Sequence, residues 1–161
     1  MTNRTERATL TAMRRHWTDN LTREAESAIG HARAHARRFN HTHMSTEHIL
    51  LGVLDKPSGN GYRILMRMGV DIEDLRSTVE GLIAPGEHAN SESKSTGMGP
   101  SAKKVMGIAD MEAGGGRIGT EHLLLGLMRV EDGIAYGVLR NFEVGHEEVC
   151  MWIGYLGGDE R

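Results

Sequence analysis

Thr46 to Ile83 reads TEHILLGVLDKPSGNGYRILMRMGVDIEDLRSTVEGLI, and Thr120 to Gly157 reads TEHLLLGLMRVEDGIAYGVLRNFEVGHEEVCMWIGYLG. The two stretches align without a gap at an offset of 74 residues, with 12 identities in 38 positions. The identities include Thr46-Glu47-His48 with Thr120-Glu121-His122, and the pairs Gly52/Gly126, Gly59/Gly133 and Tyr62/Tyr136. So many matches in one register mark a tandem duplication. Two copies are too few for an open solenoid, so the expectation is two pseudo-symmetric halves closing on one core.

Each half reads as four helices. Thr22 to Arg38 is rich in Ala with no Pro, and Phe39-Asn40 ends it. Ser45-Thr46 offers hydroxyl caps, and Glu47 suits the positive end of the next helix, which carries Ile49, Leu50, Val53 and Leu54 at helical spacing. Lys56-Pro57-Ser58-Gly59 breaks the chain, Tyr62 to Met68 forms a third helix closed by Gly69, and Ile72 to Ile83 forms a fourth. Ser101–Ala113, Thr120–Arg129, Gly133–Asn141 and His146–Leu156 repeat the pattern. The predicted organisation is an N-terminal arm or extra helix over 1–20, a first repeat over 21–83, a linker over 84–99 and a second repeat over 100–157.

Composition agrees with an all-α fold. The chain has 161 residues, about one domain, with 39% hydrophobic and only 4% aromatic residues against 10 Met. Aliphatic side chains and Met must therefore build the core, which favours helices over a sandwich or barrel. A net charge of -3 supplies no global basic field for nucleic acid. The single cysteine, Cys150, excludes an intramolecular disulfide and a multi-thiolate zinc cage. It is expected to be a core thiol on the apolar face of the last helix. No apolar run is long enough to span a membrane, and Met1–His16 lacks an apolar signal core. A cytoplasmic protein with no membrane and no nucleic-acid partner is the expectation.

The doubled Thr-Glu-His-[Ile/Leu]-Leu-Leu-Gly has a structural reading. Thr46 and Thr120 cap a helix, the leucines bury, and Gly52 and Gly126 permit close helix contact. A helix N-terminus also presents free N–H groups to an anion, and a Glu beside it can hold a guanidinium. Together these suit a ligand bearing both charges. His31 and His35 share a helical face, with His41, His43 and His48 following; zinc would need three or four of such groups to converge, and only His48 has a counterpart in the second half. Arg33, Arg37 and Arg38, with Arg14 and Arg15, read as a solvated basic face. No nucleophile–base set, G-x-S-x-G elbow, HExxH or P-loop is present, so no catalytic residue, metal ligand or cofactor is assigned.

The duplicated module resembles the N-terminal domain of the Clp ATPases, of the ClpC and ClpA type. The residues that carry the resemblance are Thr46–Gly52 and Thr120–Gly126, supported by Gly69-Val70-Asp71, Ser101–Val105, Glu131–Ala135 and Val138-Leu139. It runs from about Leu21 to Leu156. It implies a compact eight-helix domain that is not an enzyme and that binds Clp adaptors and protein substrates. The sequence holds no ATPase module, so the resemblance implies a stand-alone module of the Clp system that recruits or competes for adaptors and substrates, or docks on the Clp ATPase. In ClpC-type relatives each repeat holds a phosphoarginine site. The matching positions are Glu47 and Glu121, with Thr22 at the start of the first repeat; Gly99 matches Thr22 in the second. The alternative from another class is a small-ligand or metal sensor that reuses the fold, with Arg33, Arg37 and the histidine cluster as its pocket.

Overall fold

The computed structural model describes residues 19–86 and 96–159. Among them are eight helices: α1 (Arg23–Arg38), α2 (Thr46–Leu54), α3 (Asn60–Arg67), α4 (Ile72–Leu82), α5 (Pro100–Ala113), α6 (Thr120–Leu127), α7 (Ile134–Asn141) and α8 (His146–Asp159). The all-α double repeat is therefore the architecture, with α1–α4 and α5–α8 as the two halves. One small addition was not anticipated. β1 (His43–Met44) and β2 (Gly97–Met98) form a two-residue parallel ladder.

The local signals act where the residues place them. Thr22 caps α1 by accepting the Ala25 N–H at 3.1 Å. Asn40, at φ 57°, takes the left-handed turn that ends α1. Asp71 caps α4 by accepting the Asp74 N–H at 3.1 Å. Gly114 and Gly115, at φ 56° and 91°, close α5 in a conformation that a side chain would oppose. Every residue of α2 is buried, and so are Thr120 and Leu123–Leu127 of α6. These two helices are the centre of the molecule, and burying each Leu or Ile there contributes about 1.5–3 kcal/mol.

Gly52 and Gly126 do permit close contact. A methyl group at Gly52 would run into the backbone carbonyl of Ala28, and one at Gly126 would lie 2.7 Å from the carbonyl oxygen of Val105. In register with the rest of the repeat, Ala28 would face residue 102 rather than Val105. The first helix of the second half is thus displaced by three residues. Its cap, Gly99, stands opposite Thr22 at that shifted offset.

The halves are exchanged at their edges. Leu21 pairs with Ile118 in a parallel bridge, and the Thr22 N–H donates to Ile118 O at 2.9 Å. Met44 pairs with Met98, and the Gly99 N–H donates to Met44 O at 2.9 Å. The first helix of each half therefore begins beside the second helix of the other half.

Cys150 is a correction. It is exposed. The side of α8 that meets the core carries Val149, Trp152, Ile153 and Leu156, and Cys150 lies about 60° around the helix from Ile153, the edge of that stripe. Burial and the neighbouring Glu112 and Glu147 raise its thiol pKa, so it is held in the less reactive, neutral form.

Candidate functional site

The Thr-Glu-His motifs sit at the N-termini of α2 and α6, and each of the three residues has its own task. Thr120 Oγ1 accepts the Gly61 N–H at 2.8 Å, and Thr46 Oγ1 faces the Ala135 N–H at 3.4 Å. Gly61 and Ala135 open α3 and α7. Each motif threonine thus caps the third helix of the opposite repeat rather than its own. This explains a second pair of repeated residues. A Cβ at Gly59 would lie 2.6 Å from Thr120 Oγ1, and one at Gly133 2.7 Å from Thr46 Oγ1.

The motif histidines close the start of their own helices. His48 Nδ1 accepts the Ser45 N–H at 2.9 Å, and His122 Nδ1 accepts the Gly119 N–H at 2.9 Å. Accepting at Nδ1 fixes the neutral Nε2–H tautomer. In the first half that proton has a partner: His48 Nε2–H donates to His41 Nδ1 at 2.9 Å, so His41 Nε2–H donates to Ala84 O at 2.7 Å. The relay runs one way, and both rings must be neutral for it to stand. His48 is fully buried, and burial first, then the repulsion that a proton on His48 would meet from protonated His41 and His35, lowers its pKa to about 4. Two residues beyond Ala84, the Gly86 N–H donates to Phe39 O at 2.8 Å.

The glutamates differ between the halves. Glu47 is 8% exposed, and its one hydrogen bond among the described residues comes from the Thr46 hydroxyl at 3.4 Å. Glu121 is half-buried and folds over Gly119, where a Cβ would collide with its carboxylate. Ser45 occupies the position equivalent to Gly119, so Glu47 cannot fold in that way. Thr22 belongs to the Glu121 end of the molecule, since its backbone is bonded to Ile118, three residues before Glu121. Glu47 faces the end that holds Gly99, bonded to Met44. The three residues thus lie at two separate pairs of helix N-termini, each pair built from both repeats.

The histidine–arginine region does not form one pocket. His31 Nδ1 and His35 Nε2 reach Asp55 Oδ2 at 3.2 and 2.6 Å, and Arg76 holds the other oxygen of Asp55 and Leu54 O. Burial pushes the Asp55 carboxyl up, but the hydrogen bonds from His35 and Arg76 outweigh it and hold the pKa below its ordinary value. Arg37 donates to Thr96 at 2.9 Å, and Arg38 to Glu80 at 3.0 Å while stacking on Phe39. His43 and Arg33 are exposed; Arg14 and Arg15 lie outside the described residues. His41, Glu47 and His48 bring three possible metal-ligand atoms within 4.8 Å of one another. A metal on His48 Nε2 would move the proton to Nδ1 and set it against the Ser45 N–H. The trio therefore fits the neutral relay better than a metal.

The chain belongs to the Clp repeat (R) N-terminal domain family, whose sequence profile matches residues 20–142. It is 36% identical over 144 residues to the Bacillus subtilis negative regulator of genetic competence ClpC/MecB, spanning 88% of this chain and 17% of the relative. The chain thus spans under a fifth of the length of that relative. Among solved structures, the N-terminal domain of the ClpD chaperone from Arabidopsis thaliana superposes with a TM-score of 0.65 at 23% identity, over 87% of this chain and 96% of that one. A ClpV N-domain in complex with a VipB peptide superposes with a TM-score of 0.68 at 14% identity, over 83% of this chain and 84% of that one. No helix among the described residues is long and apolar enough to cross a membrane.

Sequence reasoning placed the motifs on helix N-termini and missed their exchange between repeats. Part of the signal was present in the doubled Gly59/Gly133, which start their own third helices and also leave room for the threonine of the other repeat. The relay partner His41 could be read only as one histidine among several.

Proposed function

We propose that this chain is a non-catalytic protein-binding module of the Clp chaperone-protease system, which recruits or competes for Clp adaptors and protein substrates or docks on the Clp ATPase. The single observation that carries this reading is the family match over most of the chain, with both Thr-Glu-His motifs intact at helix N-termini. The ClpV N-domain held with a VipB peptide is a relative of this fold bound to a peptide. Pull-down with the full chain from a lysate of its source is the test. Enrichment of a Clp subunit, an adaptor or a Clp substrate is expected; failure to enrich any of them contradicts the reading.

The finer proposal is phosphoarginine recognition. A carboxylate pairs with the guanidinium, while a hydroxyl and free helix-end N–H groups take the phosphate. The Thr22–Glu121 end offers both halves of that chemistry. The Glu47–Gly99 end offers the carboxylate and helix ends without the hydroxyl. Calorimetry with free phosphoarginine tests this: heat with the unmodified chain, reduced by Glu121→Ala and by Thr22→Val, is expected. No heat with the unmodified chain sinks the phosphoarginine proposal and leaves the protein-binding reading standing.

A further inference from the structure

Helix α3 and the C-terminal half of α8 leave a groove of about 480 Å³ between them, lined by Pro57, Tyr62, Arg63, Met66, Arg67 and Leu156. None of Thr22, Glu47 and Glu121 lines it, although its Asn60 end adjoins Gly61, which is bonded to Thr120. Two features distinguish it. Its lining is mixed, with Asn60 and the two arginines beside Met66, which is 56% exposed, and the half-buried Tyr62 and Leu156. The apolar surface continues along α8 through Tyr155, 68% exposed and in ring contact with Trp152 at 5.7 Å, to Met151 at 55%. Exposed apolar surface of this kind marks an interaction site.

The second feature is charge. Arg63 and Arg67 stand one turn apart on α3, about 6 Å along its axis. Neither has a hydrogen-bond or ion-pair partner among the described residues, and no Asp or Glu lines the groove. Arg38, Arg76 and Arg129 are held by Glu80, Asp55 and Glu112. Arg23, Arg33 and Arg117 are unpaired among the described residues as Arg63 and Arg67 are, but Arg63 and Arg67 are the pair that lines this groove. Arg63 and Arg67 thus present two guanidinium forks beside apolar seats, a combination enriched at binding hot spots.

We propose that this groove docks an acidic peptide segment of a partner protein, with apolar side chains seated against Met66, Tyr62 and Leu156 and carboxylates on Arg63 and Arg67. The proposal rests on the protein-binding reading above and names a surface and partner chemistry for it. Charge excludes the chain's own N-terminal segment as the occupant: residues 1–18 carry Arg4, Arg7, Arg14 and Arg15 against the single acid Glu6. The same argument disfavours nucleic acid, since the overall charge of -3 provides no wider basic field.

The test is selection from a random peptide library displayed on phage, against the full chain and against the Arg63→Glu/Arg67→Glu variant in parallel. Both substitutions are at exposed positions, and a thermal melt verifies folding. The expected result is clones in which Asp or Glu flanks aromatic or aliphatic residues. Their synthetic peptides should bind the variant at least about tenfold more weakly, lose affinity as salt rises, and bind Glu121→Ala unchanged. If the charge reversal impairs folding, Arg63→Gln/Arg67→Gln takes its place and should remove most of the salt dependence. Acidic peptides that bind the variant equally well would overturn the groove and leave the protein-binding reading intact. Selection without acidic enrichment would also overturn it. A dimer of the full chain that dissociates in the variant would assign the groove to a second copy and reject the proposal.

Discussion

The two repeats solve the same packing problem with different chemistry. At the turn before the second helix, the first half has His41 in a relay from Ser45 through His48 to Ala84. The second half has Gly115 at the equivalent position, and His122 keeps its bond to Gly119, with Glu121 Oε1 3.8 Å from the same nitrogen and no second histidine joined to it among the described residues. Between the first and second helices, the first half pairs His35 with Asp55, and the second pairs Glu112 with Arg129, at matching places with the acid and base exchanged. Duplication conserved the contact and not the residues that make it. Backbone geometry therefore constrains this fold more strongly than any particular polar pair.

That comparison can be broken at its strongest point first. Gly52→Ala should be worse than Gly126→Ala, because the backbone of Ala28 lies closer to Gly52 than that of Val105 does to Gly126. Overpacking against rigid backbone costs roughly 1–3 kcal/mol or more, so Gly126→Ala is expected in that range and Gly52→Ala beyond it. Denaturant melts decide the order; equal losses would show that α1 and α5 yield alike.

The relay gives the next effect. The folded pKa of His48 is about 4 and its ordinary value is 6.5. Between these values the unfolded chain binds a proton that the folded chain refuses. Stability should therefore be fully present above about pH 6.5, fall as the pH drops toward 4, and then level off, a total of about 3 kcal/mol. His48→Gln should flatten this window, whereas His122→Gln should leave it in place. Asp55 adds a loss only below its ordinary carboxyl range, because its folded pKa is depressed.

The exchanged caps come third. Thr120→Val should cost about 1–2 kcal/mol, and Thr46→Val less, since Thr120 makes the shorter bond of the two. Smallest is the exposed Arg129–Glu112 pair, where Arg129→Ala should cost under about 1 kcal/mol. Asp55→Asn should exceed it, because two histidines and Arg76 converge on that carboxylate.

Much of this was readable from sequence because helices are local. The start at Ser45, the stops at Asn40 and Gly69, and the buried stripe of α2 follow from residues within a turn of one another. The exchange between halves was not readable, because it depends on contacts about 60 to 100 residues apart, such as Gly61 with Thr120 and Leu21 with Ile118. For the candidate site, Thr22, Glu47 and Glu121 could be named but not grouped. Cys150 was misplaced because α8 is apolar over more of its circumference than the core covers, so its pattern does not mark which side is buried. The Arg63–Arg67 groove needs α8 beside α3, which no local pattern conveys.

The two candidate ligand ends are each assembled from both repeats, a pairing that can be measured. Calorimetric titration of phosphoarginine into Thr22→Val, Glu121→Gln, Glu47→Gln and the paired variants tests it most directly. Strong non-additivity is expected between Thr22 and Glu121, and additivity between Thr22 and Glu47. Coupling of Thr22 to Glu47 in place of Glu121 would contradict it.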